Sequence, residues 1–289
     1  MMNEKKKARF QQVRRLASEG RVEIVAHFFQ RDEVKEAAGF VGGAYEVVEK
    51  ALSSQAPAVM VCGASFMIAE IERRGMRPKL LVPRRDLSCP LAEAVTVDEV
   101  IAAKKEHPAA LLVADLKVAP ELRAMADLLI TSATAGDSLA ALKGRELIML
   151  PGSQLADCHG FGAQVVKRWA KAVCQVHELA LPEDVAAARA AYPAALVAAH
   201  FLTRPEVRAM ADFVGDSAAI GRFCGESVER EFIVISESGL ASYLSAAFPD
   251  KVFHETEAEI FCPNMKLTTL KTMADCLTRY MDENREPQL

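Results

Sequence analysis

The alternation of apolar and polar positions along the chain falls into one arrangement that recurs three times. Each copy opens on an apolar stretch with the composition of a buried strand: Val22–Phe28, Ala109–Ala114 and Ala194–Ala199. Short runs that are apolar throughout suit strands covered on both faces, as in parallel sheets. A polar turn follows and ends in Asp32-Glu33, Pro120-Glu121 or Pro205-Glu206. Proline at the first helical position, with acids beside it, marks a helix N-terminus. The helical segments then align residue by residue as Glu33–Val41, Glu121–Leu129 and Glu206–Val214, the last two sharing Arg-Ala-Met-Ala-Asp. A second apolar strand comes next in each copy: Ala58–Cys62, Glu146–Leu150 and Glu231–Ile235. Helices such as Ser65–Arg74 and Ser238–Ala247 follow, and then a third element at Lys79–Pro83, Val165–Val173 or Lys251–His254.

The period, 88 residues from Glu33 to Glu121 and 85 from there to Glu206, is too long for a solenoid unit and right for a small βα domain. The pattern therefore predicts an α/β fold of three homologous parallel-sheet subdomains around a pseudo-threefold axis. The expected parts are an N-terminal helix over 1–20 and repeats over 21–105, 106–190 and 191–265. A C-terminal helix over 266–289 closes the fold. Ligands of open parallel sheets bind beyond the carboxyl ends of the strands, where helix N-termini offer amides to an anion. The axis is thus the expected site.

The cysteines give that site its chemistry. Just after the third element of each copy stands one thiol: Cys89 before Pro90, Cys174 in Cys-Gln-Val-His177-Glu178, and Cys262 in Cys-Pro-Asn-Met-Lys266. The other four, Cys62, Cys158, Cys224 and Cys276, do not follow the repeat and read as buried packing residues. Three thiolates around an axis can hold three irons of a [4Fe-4S] cubane, whereas closed electron-transfer clusters take four. The fourth iron would be open, and an open metal is a Lewis acid for elimination or condensation. The rival metal reading is zinc on Cys174 and His177, for which the second ligand pair is missing.

Repeat position also selects side chains. His27 and His200 follow the first strand of copies one and three, and Asp115, with Lys117 close by, stands near the same place in copy two. Glu237 follows a strand in Ser-Glu-Ser-Gly239. These five are the catalytic candidates. Ser132, Thr134 and Ser217, read as lying near the C-terminal ends of the repeat helices, are candidate substrate contacts together with Ser65 and His177.

Composition narrows the partners. The 289 residues carry a net charge of −4, are 51% hydrophobic, and show a basic cluster only at Lys5–Lys7, Arg9, Arg14 and Arg15. That argues against a nucleic-acid or acidic-membrane partner; the substrate expected with the open iron is small and anionic. No apolar run reaches the ~18–20 residues of a membrane span, and the N-terminus lacks the apolar region of a signal peptide. The expectation is a cytoplasmic monomer or homodimer with reduced thiols.

At these residues the chain resembles the quinolinate synthase family, from about Ala26 to Leu270. The shared motifs are Ala26-His27-Phe28-Phe29-Gln30, Phe40-Val41-Gly42, Cys62-Gly63 with Phe66-Met67, and Cys89-Pro90-Leu91-Ala92. Cys174-x-Val-His-Glu178, Asp212-Phe-Val-Gly215, Glu237 with Gly239, and Cys262-Pro-Asn-Met-Lys266 follow in order. The resemblance implies a triangular fold and a [4Fe-4S] cluster on three cysteines. It also implies condensation of iminoaspartate with dihydroxyacetone phosphate to quinolinate, a step of NAD biosynthesis.

Several positions depart from the family pattern. Phe28 and Phe29 replace two tyrosines, one of whose hydroxyls serves the chemistry, and Gly43-Ala44 replaces Asp-Ser. Ser65 replaces a histidine, Asp115 and Lys117 replace a tyrosine and an asparagine, and Leu202 replaces a glutamate. Gly215-Asp216-Ser217 stands for Gly-Ser-Thr. A positioned acid or base is worth about 10²–10⁴-fold in rate, so a paralogue with altered substrate or reaction, sulfur handling included, stays open. A non-catalytic iron–sulfur sensor or small-molecule binding protein is the alternative outside enzymes.

Overall fold

The computed structural model describes residues 3–131, 134–151 and 162–284. Two compact units divide the chain, one of residues 1–87 with 262–289 and the other of residues 88–261.

In the first unit, Asn3 caps helix α1 (Glu4–Glu19) by accepting from Lys6 N. The chain then enters β1 (Val22–His27), a short α2 (Asp32–Ala37), β2 (Phe40–Gly42), α3 (Ala44–Ser53), β3 (Ala58–Cys62), α4 (Ser65–Arg74) and β4 (Lys79–Leu81). The strands form one parallel sheet in the order β2-β1-β3-β4. β3, Ala-Val-Met-Val-Cys, is buried at every position, as its unbroken apolar sequence requires of a central parallel strand. Val13 and Ala17 of α1 join Met273, Ala274 and Leu277 in one apolar core with β1 and β3. The last three lie on the amphipathic α12 (Leu270–Glu283).

The second unit holds the other two sheets. α5 (Val97–Glu106) precedes β5 (Leu111–Asp115), α6 (Pro120–Met125), β6 (Leu128–Ile130), α7 (Ala135–Ala140), β7 (Glu146–Met149) and β8 (Gln164–Lys167). α8 (Pro182–Ala191) leads into β9 (Leu196–His200), α9 (Pro205–Ala209), β10 (Phe213–Gly215), α10 (Ser217–Glu226), β11 (Glu231–Ile235), α11 (Ser238–Ala247) and β12 (Val252–His254). Their orders are β6-β5-β7-β8 and β10-β9-β11-β12, all parallel. The expected α/β fold of three homologous parallel sheets is therefore present, with the same strand order three times. No helix among the described residues is long and apolar enough to cross a membrane.

Two local readings change. The aligned segments from Glu33, Glu121 and Glu206 are not single helices. Each is a helix of five or six residues that stops before a three-residue strand. Phe40, Leu128 and Phe213 are drawn out of helix by pairing with the strand before them, for example Val25↔Phe40 and Ala198↔Phe213. Asp127 and Asp212 enforce the break, because their carboxylates accept Leu112 N at 2.8 Å and Val197 N at 2.7 Å. Likewise Val165–Val173 is a strand only to Lys167 and a turn thereafter, with Ala172 N bonded to Trp169 O.

Candidate functional site

The last residues of β1, β5 and β9 are His27, Asp115 and His200, and all three are buried. Each side chain accepts the backbone N–H two residues on: Phe29 N to His27 Nδ1 at 3.1 Å, Lys117 N to Asp115 Oδ1 at 2.6 Å, Leu202 N to His200 Nδ1 at 3.2 Å. Their carbonyls accept one residue further along, from Gln30, Val118 and Thr203. One tight turn is built three times, and a short acceptor at its head is what His and Asp share. An Nδ1 that accepts leaves the ring proton on Nε2, so this bond assigns the tautomer of both histidines.

In the second unit these turns gather further groups. Lys117 donates its ammonium to Asp115 Oδ2 at 2.9 Å and stands 5.0 Å from the centre of the Phe201 ring. Asp115 is 3% accessible, whereas Lys117 keeps 20% of its side chain open. Burial pulls the lysine pKa down, but the Asp115 carboxylate, by charge and hydrogen bond, lifts it above the ordinary value. Asp216 and Cys89 add to that lift. Lys117 is thus a fixed cation. His177 stacks on His200 with centroids 4.2 Å apart, and His200 in turn stacks on Phe201 at 4.7 Å. The Nδ1 of His177 lies 3.2 Å from Cys174 Sγ, and its Nε2 lies 3.5 Å from Ser236 Oγ. Burial first, and the charge of Lys117 second, push the His177 pKa down to about 3, so this imidazole is neutral. Glu237, fully buried, caps α11 by accepting Gly239 N at 2.8 Å.

The three repeat-matched cysteines share one backbone setting. Each carbonyl accepts the N–H four residues on: Glu93 to Cys89 at 3.2 Å, Glu178 to Cys174 at 3.0 Å, Lys266 to Cys262 at 3.3 Å. All three thiols are half-buried, while Cys62, Cys224 and Cys276 are buried. Burial raises the pKa of Cys62 and Cys276 and pushes Cys224 up to about 12. Thiolates are the metal ligands, and exposure is what separates the two sets. Each of the three half-buried cysteines offers, on a turn of the same kind, the donor type that iron–sulfur clusters take. Among the described residues no group of three or more His, Cys, Asp or Glu side chains is gathered as a metal site. Cys158 and Ser132 lie outside the described residues.

The hydroxyl candidates land elsewhere than expected. Ser217 is the buried first residue of α10, after β10, and Thr134 precedes α7, after β6. Both stand at helix starts rather than helix ends, because a three-residue strand separates each from the short helix before it. Thr134 Oγ1 accepts Thr131 N at 3.0 Å. Ser65 opens α4, and its N–H donates to Leu87 O at 2.8 Å. Ser238 donates to Ile260 O at 2.8 Å in the same way. Each acceptor lies two residues before a cysteine. Asp216, which caps α10 through Ala219 N at 2.7 Å and acts on Lys117, and Ser236 escaped the sequence reading. Their positions right after β10 and β11 are the signal that would have found them.

The model of the quinolinate synthetase A protein family matches residues 11–286. The chain belongs to this family. A quinolinate synthase of Geobacter metallireducens is 31% identical over 268 residues, covering 93% of this chain and 88% of that protein. The quinolinate synthase of Thermodesulfovibrio yellowstonii is 33% identical over 257 residues, 88% of this chain and 84% of its own. Quinolinate synthase 2 of Methanosarcina acetivorans is 28% identical over 278 residues, with 96% and 90% covered. In this member of the quinolinate synthase family, His177 stands against Cys174 and stacks on His200, which stacks on Phe201 beside Lys117.

Proposed function

We propose that this chain is an iron–sulfur enzyme that holds a [4Fe-4S] cluster on Cys89, Cys174 and Cys262 and dehydrates or condenses a small anionic substrate. The nearest named activity is formation of quinolinate from iminoaspartate and dihydroxyacetone phosphate. The observation that carries this reading is the matched turn at three half-buried cysteines, with the other described thiols buried. When bound, such a cluster supplies an open iron that polarises a hydroxyl or carbonyl oxygen.

The side chains supply the rest. Lys117, anchored by Asp115, retains ammonium hydrogens beyond the one given to the carboxylate, and these suit a substrate carboxylate or phosphate. His177 acts as a neutral ring. His200 spends Nδ1 on its own turn, accepting Leu202 N. His177, with Nδ1 on the Cys174 sulfur, orients that ligand.

A second reading, a changed substrate on the same scaffold, is favoured by the character of the altered positions. Phe28, Phe201 and Leu202 are buried, and an ion pair stands where the resemblance expects a phenol and an amide. Complementation of a quinolinate auxotroph separates the two. Growth supports the family reaction, and failure to grow by a strain that accumulates the iron-loaded protein supports the changed substrate.

A further inference from the structure

Each cysteine turn ends on the residue four positions after the thiol, and in two turns that residue is gripped by an arginine from a strand-end turn. Arg31, four residues after His27, donates through Nε to Lys266 O at 2.6 Å, and Lys266 is four residues after Cys262. Arg204, four residues after His200, donates through Nε to Glu178 O at 3.0 Å, and Glu178 is four residues after Cys174. Both grips are doubled by a side chain. Lys266 Nζ donates to Phe29 O at 2.9 Å, and Arg204 Nη2 lies 3.5 Å from a Glu178 carboxylate oxygen.

The third copy lacks the donor. Four residues after Asp115 stands Ala119. Yet the backbone there is already set. Arg31, Ala119 and Arg204 each precede the first turn of a helix, with φ and ψ of −58° and 148°, −57° and 147°, and −55° and 148°. Only the side chain is missing.

We propose that Arg31 and Arg204 are positioning residues that clamp the Cys262 and Cys174 turns to the tips of β1 and β9. At the equivalent position beside the Cys89 turn stands Ala119, so that turn receives no arginine from this position. The functional meaning of the clamps rests on the cluster reading above, since a fixed carbonyl at the end of the turn fixes where the thiol at its start points. The clamps themselves are a property of the folded chain and are testable without iron.

The test uses the full chain freed of metal under anaerobic conditions, with iodoacetamide as probe and peptide mass spectrometry to read the alkylation rate at each cysteine. Arg204→Met should speed labelling of Cys174 by about two- to tenfold, the range one net hydrogen bond supplies. Cys89 and Cys262 should be unchanged in that variant. Arg31→Met should act on Cys262 alone. Arg204→Lys should restore part of the protection, and Ala119→Arg should slow Cys89. Unchanged rates at the partnered cysteine would overturn the proposal. So would equal acceleration at all three cysteines with a lowered melting temperature, which marks general loosening. If the site-selective pattern holds in a protein that takes up no iron, the clamps stand and the cluster reading fails.

Discussion

At the scale of single residues, the sharpest chemistry is the buried Asp115–Lys117 pair. Removing one partner of such a pair strands the other, at a cost of about 3–5 kcal/mol for a fully buried pair. The fifth of Lys117 that stays open brings the expected loss for Lys117→Met to about 2–3 kcal/mol in urea unfolding. The double variant Asp115→Asn with Lys117→Met should recover most of it, because no charge is then left unpaired. Equal losses in the single and double variants would mean that the pair is not the source. Asp115, His27 and His200 were legible in the sequence because the repeat fixes their register. The burial of Cys62 was legible too, because it closes the apolar strand Ala58–Cys62; the repeat position then set Cys89 apart.

At the scale of elements, the chain showed its long apolar strands and hid its short ones. A three-residue strand is shorter than one helical turn, so Phe-Val-Gly after a helical run carries no period of its own. Its conformation comes from long-range pairing, reinforced in two copies by Asp127 and Asp212. The closing glycine has a packing reason. A Cβ at Gly215 would stand 2.8 Å from the Phe213 ring and 2.9 Å from Ala219 Cβ on α10. Gly215→Ala should therefore cost about 1–3 kcal/mol through overpacking, measured by thermal or urea unfolding, and a neutral substitution would contradict that packing.

β1 carries a pH-sensitive tie of its own. Burial tends to raise the Glu23 pKa, but hydrogen bonds from Lys50 and Ser54 outweigh it and hold the carboxyl below the ordinary carboxylate range. A depressed folded-state pKa gives stability that is full above the unfolded value of about 4.3 and fades as pH falls through the folded value. The stability gap between the native chain and Glu23→Gln should be flat from about pH 5.5 to 7 and shrink below about pH 4. A gap that grows on acidification would reverse the sign.

At the scale of the whole molecule, the threefold repeat was the most legible feature, and it carried the most chemistry. It appears as three sheets with one strand order, three strand-end turns with one hydrogen-bond pattern, and three cysteine turns closed the same way. The site's asymmetry was harder to read, because it depends on which turn receives an arginine, an alanine, a histidine or an aspartate. The central claim is that three of the seven cysteines hold one cluster. The direct measurement is iron and sulfide content after anaerobic purification, with the visible spectrum, for the native chain and for Cys→Ala at each described cysteine. About four irons per chain, with a broad shoulder near ~400 nm, are expected for the native chain and for Cys62→Ala, Cys224→Ala and Cys276→Ala. Loss of iron is expected for Cys89→Ala, Cys174→Ala and Cys262→Ala. A colourless native protein carrying one zinc, or iron retained after loss of any of those three thiols, would contradict the account.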